Sequence, residues 1–167
     1  MLLVLAGLPA SGKSTLARGI ARALGATCLR IDSIEQALRD ASQIDVQVEG
    51  YAAAYAIAAD NLALGLTVVA DSVNPINVTR AAWRAVGQAA AVPVVELEVI
   101  CSDRDEHRRR VESRATDVPN LVLPAWQDVI HRDYEPWDRA RIVIDTAGES
   151  SSESLARALS QIREQLA

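Results

Sequence analysis

Two hydrophobic periods alternate along this chain, and their alternation predicts its elements. Short apolar runs bounded by turn residues read as strands: Leu2–Ala6, Thr27–Asp32, Thr67–Asp71, Val92–Cys101 and Arg141–Asp145. Between them, apolar residues recur at helical spacing. Leu16, Ile20 and Leu24 mark a helix closing at Gly25, and Ser33 caps a shorter one through Arg39. Tyr51–Leu64 reads as an alanine-rich helix ended by Gly65, and Asn77–Ala90 carries Trp83 and Val86 on one face. Asp103–Arg114 is a strongly charged helix. Pro124–Tyr134 reads as helical with Pro124 in the first turn. Ser152–Leu166 is amphipathic, with Leu155, Leu159, Ile162 and Leu166 inward. Residues 41–50 show no period and read as a loop. Strands alternating with helices specify an α/β protein with a parallel sheet. No repeat or linker interrupts the pattern, so residues 1–167 read as a single domain.

Composition narrows the class. A chain of 167 residues, 50% hydrophobic and 23% charged, can bury a real core, and its apolar runs are too short to span a bilayer. The first apolar segment has no basic residues before it and runs into a glycine loop, so it reads as a core strand and not a signal sequence. A cytoplasmic location with no membrane partner is expected. A net charge of −5 argues against a large nucleic-acid footprint. Cys28 and Cys101 lie in or beside apolar runs and read as buried thiols of a reduced protein. With no ligand spacing among the cysteines and histidines, no zinc site is expected.

The chemistry begins at Gly7-Leu8-Pro9-Ala10-Ser11-Gly12-Lys13-Ser14-Thr15, which matches G-x-x-x-x-G-K-[ST] in full between a strand and a helix. Such a loop turns several backbone N–H groups and a helix N-terminus toward one point, a site for phosphate. Leu8, Pro9, Ala10, Ser11, Gly12, Lys13, Ser14 and Thr15 are the expected nucleotide contacts. Lys13 would reach the β- and γ-phosphates of ATP, and the Ser14 hydroxyl would ligate Mg²⁺. Lys13 is the only lysine in the chain.

Ligands of open parallel sheets bind beyond the carboxyl ends of the strands. Asp32 and Asp71 end the second and third strands and flank the loop. Asp32 suits the task of positioning and deprotonating an acceptor hydroxyl; either carboxylate would help hold Mg²⁺ through water. The plainer readings are a helix N-cap for Asp32 and a turn residue before Asn74-Pro75 for Asp71. Among Arg104, Arg108, Arg109, Arg110 and Arg114, helical spacing puts Arg110 and Arg114 on one face; most of this set reads as a solvated charged surface.

Taken together, Gly7–Thr15, Arg30-Ile31-Asp32, Asp71-Ser72-Val73-Asn74-Pro75 with Arg80 and Trp83, and the arginine helix ending at Arg114 resemble the small P-loop kinases. The likeness is to phage-type polynucleotide 5′-hydroxyl kinases and the predicted kinases grouped with them, and it covers nearly the whole chain. It implies a three-layer α/β/α fold with strand order 2-3-1-4-5 and a small helical lid over about residues 110–137. It also implies Lys13, Asp32 and Arg114 as catalytic groups: Asp32 as general base, Arg114 as the lid arginine on the donor phosphates, with Arg110 a further phosphate contact.

One departure bears on the acceptor. An arginine three residues after the base holds the acceptor phosphate in polynucleotide kinases; here Glu35 stands there. A carboxylate repels such a phosphate, so a neutral or cationic hydroxyl compound is the expected acceptor, unless Arg39 faces inward and restores an anion site. Tyr51 and Tyr55 read as pocket lining or as core aromatics, and Trp126 and Trp137 as cover over the site or as packing anchors. Asp145-Thr146-Ala147-Gly148 imitates a GTPase D-x-x-G switch, but it follows the last strand, and no lysine remains for N-K-x-D. It reads as the loop near the adenine. The sequence therefore specifies an ATP- and Mg²⁺-dependent kinase of a small hydroxyl compound. The alternatives are a polynucleotide 5′-hydroxyl kinase and a non-catalytic ATP-binding regulator. Nothing in it fixes the oligomeric state.

Overall fold

The computed structural model describes residues 1–42 and 45–167. Five parallel strands, β1 (Leu2–Ala6), β2 (Thr27–Arg30), β3 (Val68–Asp71), β4 (Val94–Ile100) and β5 (Ile142–Asp145), stand in the order β2-β3-β1-β4-β5. Central β1 is buried on both faces, as expected of a parallel strand covered by helices on each side.

On one face, α1 (Lys13–Leu24) and α7 (Ser151–Leu166) lay Leu16, Ala17, Ile20, Ala158 and Ile162 against Leu3, Leu5, Val95, Leu97 and Ile144. On the other, α3 (Glu49–Ala63) and α4 (Asn77–Ala89) lay Ala54, Ala58, Leu62 and Trp83 against Leu2, Val4, Val68 and Ala70. The result is three layers. A smaller cluster of Val111, Trp126 and Val129 joins α5 (Arg104–Ser113) to α6 (Trp126–Ile130) and packs on Leu8 and Ala10 of the glycine loop. No helix among the described residues is long and apolar enough to cross a membrane.

The differences from expectation have local causes. The second strand stops at Arg30, and α2 (Ile31–Ser42) begins at once because Ile31 is drawn into the core. Asp32 thus lies in the first helical turn, where a carboxylate suits the helix dipole. Ser33 is exposed inside the helix rather than capping it. The loop expected over 41–50 gives up its ends to α2 and α3, and residues 43 and 44 lie outside the described residues. Helix α6 covers only part of Pro124–Tyr134, because residues 134–137 are pulled away to the start of α4: the Glu135 amide donates to Pro75 O (2.9 Å). The inward face of α7 is carried by Ser154, Ala158 and Ile162, with Leu155 and Leu159 at its edge and Leu166 exposed. Cys101 is buried, but Cys28 is exposed on edge strand β2, so only one of the two thiols is where the apolar pattern put it.

Candidate active site

The glycine loop is shaped by contacts that leave no room for side chains. Gly7 has φ +141°, and a Cβ there would lie 2.1 Å from Val99 O. Gly12, at φ +94°, caps α1 without a side chain, leaving the first N–H groups of the helix for a ligand. Two groups hold the loop from outside. His107 Nε2 donates to Pro9 O (2.8 Å), with the ring edge-on to Trp126. The Thr146 hydroxyl reaches the carbonyls of Ser11 (2.8 Å) and Ile100 (3.1 Å). Arg110 donates to that hydroxyl (2.7 Å) and to Thr146 O (2.8 Å), and pairs with Glu106 (2.5 Å).

Lys13 is buried, with its ammonium 3.7 Å from the buried Asp71 carboxylate. Asp71 stands beside Leu5 in register, next to the strand that feeds the loop. A hydroxyl (Ser14) and carboxylates are hard oxygen donors that fit Mg²⁺, and no cluster of three or more acidic, histidine or cysteine ligands exists among the described residues. That donor set suits an ion held mainly by phosphates and water, with Ser14 and Asp71 completing it.

A cavity of about 1000 Å³ opens beyond the loop. Pro9, Ala10, Gly12, Lys13, Ser14 and Thr15 line one end, while Leu8 turns to the α5–α6 cluster and Ser11 is enclosed. Asp32, Glu35, Gln36 and Arg39 of α2 line another wall, and Arg110, Arg114 and Arg132 reach in from the far side. Arg114 follows α5 directly. Its Nε and Nη2 atoms are buried with no hydrogen-bond partner among the described residues. Burial pulls its guanidinium below the usual arginine value and the nearby Arg30 adds to this, against the attraction of Asp32. The connection from α5 to α6 is held down by Asp117, which accepts from Arg30 (2.6 Å) and Arg18 (3.0 Å).

A family model described as an AAA domain matches residues 2–132. The chain belongs to that family. As a P-loop NTPase of this kind, the AAA domain has solved structural neighbours that are kinases. Kti12 from Chaetomium thermophilum, in complex with ADP-AlF3, matches with TM-score 0.74 and 24% identity over 100% of both chains. A sugar kinase from Janibacter sp. matches at 0.68 and 19%, covering 97% of this chain and 94% of that one. A gluconokinase from Sinorhizobium meliloti matches at 0.63 and 18%, over 98% and 95%. At these identities the likeness establishes the fold, a P-loop kinase fold. No curated protein sequence matches.

The AAA domain gathers Lys13, Ser14, Asp32, Arg110 and Arg114 around one cavity and puts Asp71 against Lys13. Glu35 does not face it as a free carboxylate. It is bound to Arg39 (3.2 Å), and burial pushes its carboxyl above the usual glutamate value, against the Arg39 hydrogen bond. The repulsion expected of an anionic acceptor is thereby spent on Arg39, which does face inward. Tyr51 and Tyr55 lie outside the cavity. They pack on Trp83's cluster, and the Tyr51 hydroxyl accepts from the Asn74 amide (3.2 Å). Trp126 packs under α5, and Trp137 stacks on Arg80 (4.2 Å). Sequence reasoning passed over His107, Thr146 and Arg132. The loop of the D-x-x-G look-alike follows the last strand as expected, and its Thr146 braces the phosphate loop.

Proposed function

We propose that this AAA domain is an ATP- and Mg²⁺-dependent phosphotransferase acting on the hydroxyl of a small molecule. One observation carries the reading. A single cavity joins the phosphate loop to Asp32, with the unpartnered Arg114 guanidinium on its wall. Lys13 and the loop amides would hold the β- and γ-phosphates, and Ser14 would hold Mg²⁺, which would supply neutralisation of their charge. Asp32 would orient the acceptor hydroxyl and take its proton as the new O–P bond forms. The bond from γ-phosphorus to the bridging oxygen breaks, ADP leaves, and Arg114 offsets the charge on the transferring group. We take residues 110–137 as a lid over this site, because Arg110, Arg114, Asp117 and Arg132 all enter from it. The sugar kinase and gluconokinase neighbours support a polyol-type acceptor.

The test is transfer of labelled γ-phosphate from ATP across sugars, sugar acids, nucleosides, aminoglycosides and oligonucleotides. Asp32→Asn should keep ATP binding and lose about 10²–10⁴-fold in transfer, whereas Lys13→Ala should lose binding as well. Normal transfer in Asp32→Asn would remove the base. Function that survives Asp32→Asn but not Lys13→Ala would point to a non-catalytic ATP-binding regulator.

A further inference from the structure

The acceptor end of the cavity carries charge that Asp32 and the phosphate loop do not account for. Helix α2 turns Asp32, Glu35, Gln36 and Arg39 into it, at spacings that share one helical face. Most of these groups are engaged. Glu35 is bound to Arg39, and its side chain lies over Gly50, where a Cβ would come 2.2 Å from Glu35 Cγ. Gln36 donates to Asp40 (2.8 Å), which also accepts from Asn120 (3.1 Å).

The chain leaving α6 brings Arg132, an exposed side chain, to the same cavity. Asp128, one turn earlier on that wall, is turned to the Ala125 amide (2.8 Å). Arg18 and Arg30 are bridged by Asp117, Arg39 by Glu35 and Arg110 by Glu106. Arg132 stands outside all of these pairs among the described residues. It lines the same cavity as the α2 residues, and its charge reaches the Glu35 carboxyl.

We propose that Arg132 binds a negatively charged group of the acceptor, which is thus a hydroxylated small molecule bearing one carboxylate or acidic ester. Asp32 must stay free for the hydroxyl proton, Arg114 serves the transferring phosphoryl group, and Glu35 with Arg39 is neutral as a pair. Arg132, exposed on the cavity wall, has no carboxylate partner among the described residues. A carboxylate or ester oxyanion meets its planar N–H fork with charge-assisted hydrogen bonds that a neutral polyol cannot supply. This reverses the acceptor charge expected from Glu35 alone. The hydroxyl half of the inference rests on the kinase reading; the anion half does not.

The experiment compares acceptors differing only in charge: an aldonate, the matching aldose, and the phosphate ester of that aldose. ATP-dependent ADP release should give the anionic members at least a tenfold higher kcat/KM, with the aldonate and the ester deciding between anion types. Arg132→Ala should raise KM for the anionic acceptor at least tenfold, by more than it lowers kcat, and Arg132→Lys should recover part of the loss. Equal use of the neutral aldose, or an unchanged KM in Arg132→Ala, overturns the proposal. If no member accepts phosphate, malonate is titrated into protein loaded with a non-hydrolysable ATP analogue, followed by tryptophan fluorescence. Binding weakened at least tenfold in Arg132→Ala supports the anion site and leaves only the kinase reading in doubt. No binding, or equal binding by both proteins, overturns the site.

Discussion

Arg80 is fully buried, and every N–H of its guanidinium is used. Nε donates to Asn74 O (3.1 Å), Nη1 to Asn77 Oδ1 (3.2 Å) and Pro136 O (3.3 Å), and Nη2 to Pro75 O and Glu135 O (both 2.9 Å). No carboxylate pairs with it. The charge is held by oxygen dipoles and by the faces of Trp137 (4.2 Å) and Tyr134 (5.1 Å). Arg80→Lys keeps the charge but offers at most three donors, so two or more of these oxygens lose their partner. At about 1–3 kcal/mol for each unsatisfied buried group, with the stacking on Trp137 weakened too, the loss should be about 3–5 kcal/mol. Removing a buried charge has its own compensation, since desolvation is relieved. Arg80→Met leaves all five oxygens without a donor, and relief of the buried charge offsets only part of that, so it should cost at least as much as Arg80→Lys. Urea unfolding followed by tryptophan fluorescence and by far-UV circular dichroism would measure both. Because residues 134–137 lead directly out of the Arg132 segment, the lysine variant should also raise KM for the acceptor more than for ATP. A change below about 0.5 kcal/mol in Arg80→Lys would refute the reasoning, since it would mean that solvent already satisfies these oxygens.

Three further outcomes follow from other contacts. Thr146→Val removes the hydroxyl that braces the Ser11 carbonyl and receives Arg110; it should cost about 1–3 kcal/mol and weaken ATP binding, read by calorimetry. In Gly50→Ala the new methyl displaces Glu35 and parts it from Arg39. Stability should fall by about 1–3 kcal/mol and acceptor KM should change while ATP affinity holds, checked by thermal unfolding and initial rates. The Asp117 carboxyl is held below its usual value, chiefly by the hydrogen bond from Arg30. A lowered carboxylate contributes stability that is present above its unfolded value and lost as pH falls through its folded one. Asp117 is exposed, so the contribution is at most about 1 kcal/mol, and Asp117→Asn should flatten the fall in melting temperature below about pH 4.

What the sequence discloses here depends on how local the chemistry is. The phosphate loop was legible because its function lies in consecutive backbone positions, and a strand before it with a helix after it leaves little freedom. Strand order and the place of Asp32 came from resemblance and from the rule that strand ends carry ligands. Asp32 proved to be one residue inside a helix without leaving the cavity. Glu35 was legible as a residue but not as a charge, because its partner lies one turn away and the rotation of α2 decides whether both face inward. Arg132 and Thr146 come from segments far from the loop in sequence and carry no local pattern. Arg80 could be seen as a motif position, yet its partners are mostly main-chain carbonyls, which no residue code reveals. On α7 the period was right and Ile162 is buried as expected, but Ser154 and Ala158 lie deeper than Leu155 and Leu159, with Leu155 packed on the bare backbone of Gly19.

The undivided cavity has a kinetic consequence. Neither a histidine nor a cysteine lines it among the described residues: His107 is bound to Pro9 O outside the wall, and Cys101 is buried elsewhere. Under the proposed transfer, with Asp32 acting as base, the phosphoryl group passes directly from donor to acceptor, and both substrates must be present together. Double-reciprocal plots at several fixed acceptor concentrations should then intersect instead of running parallel, and no phosphorylated form of the protein should accumulate when ATP is supplied alone.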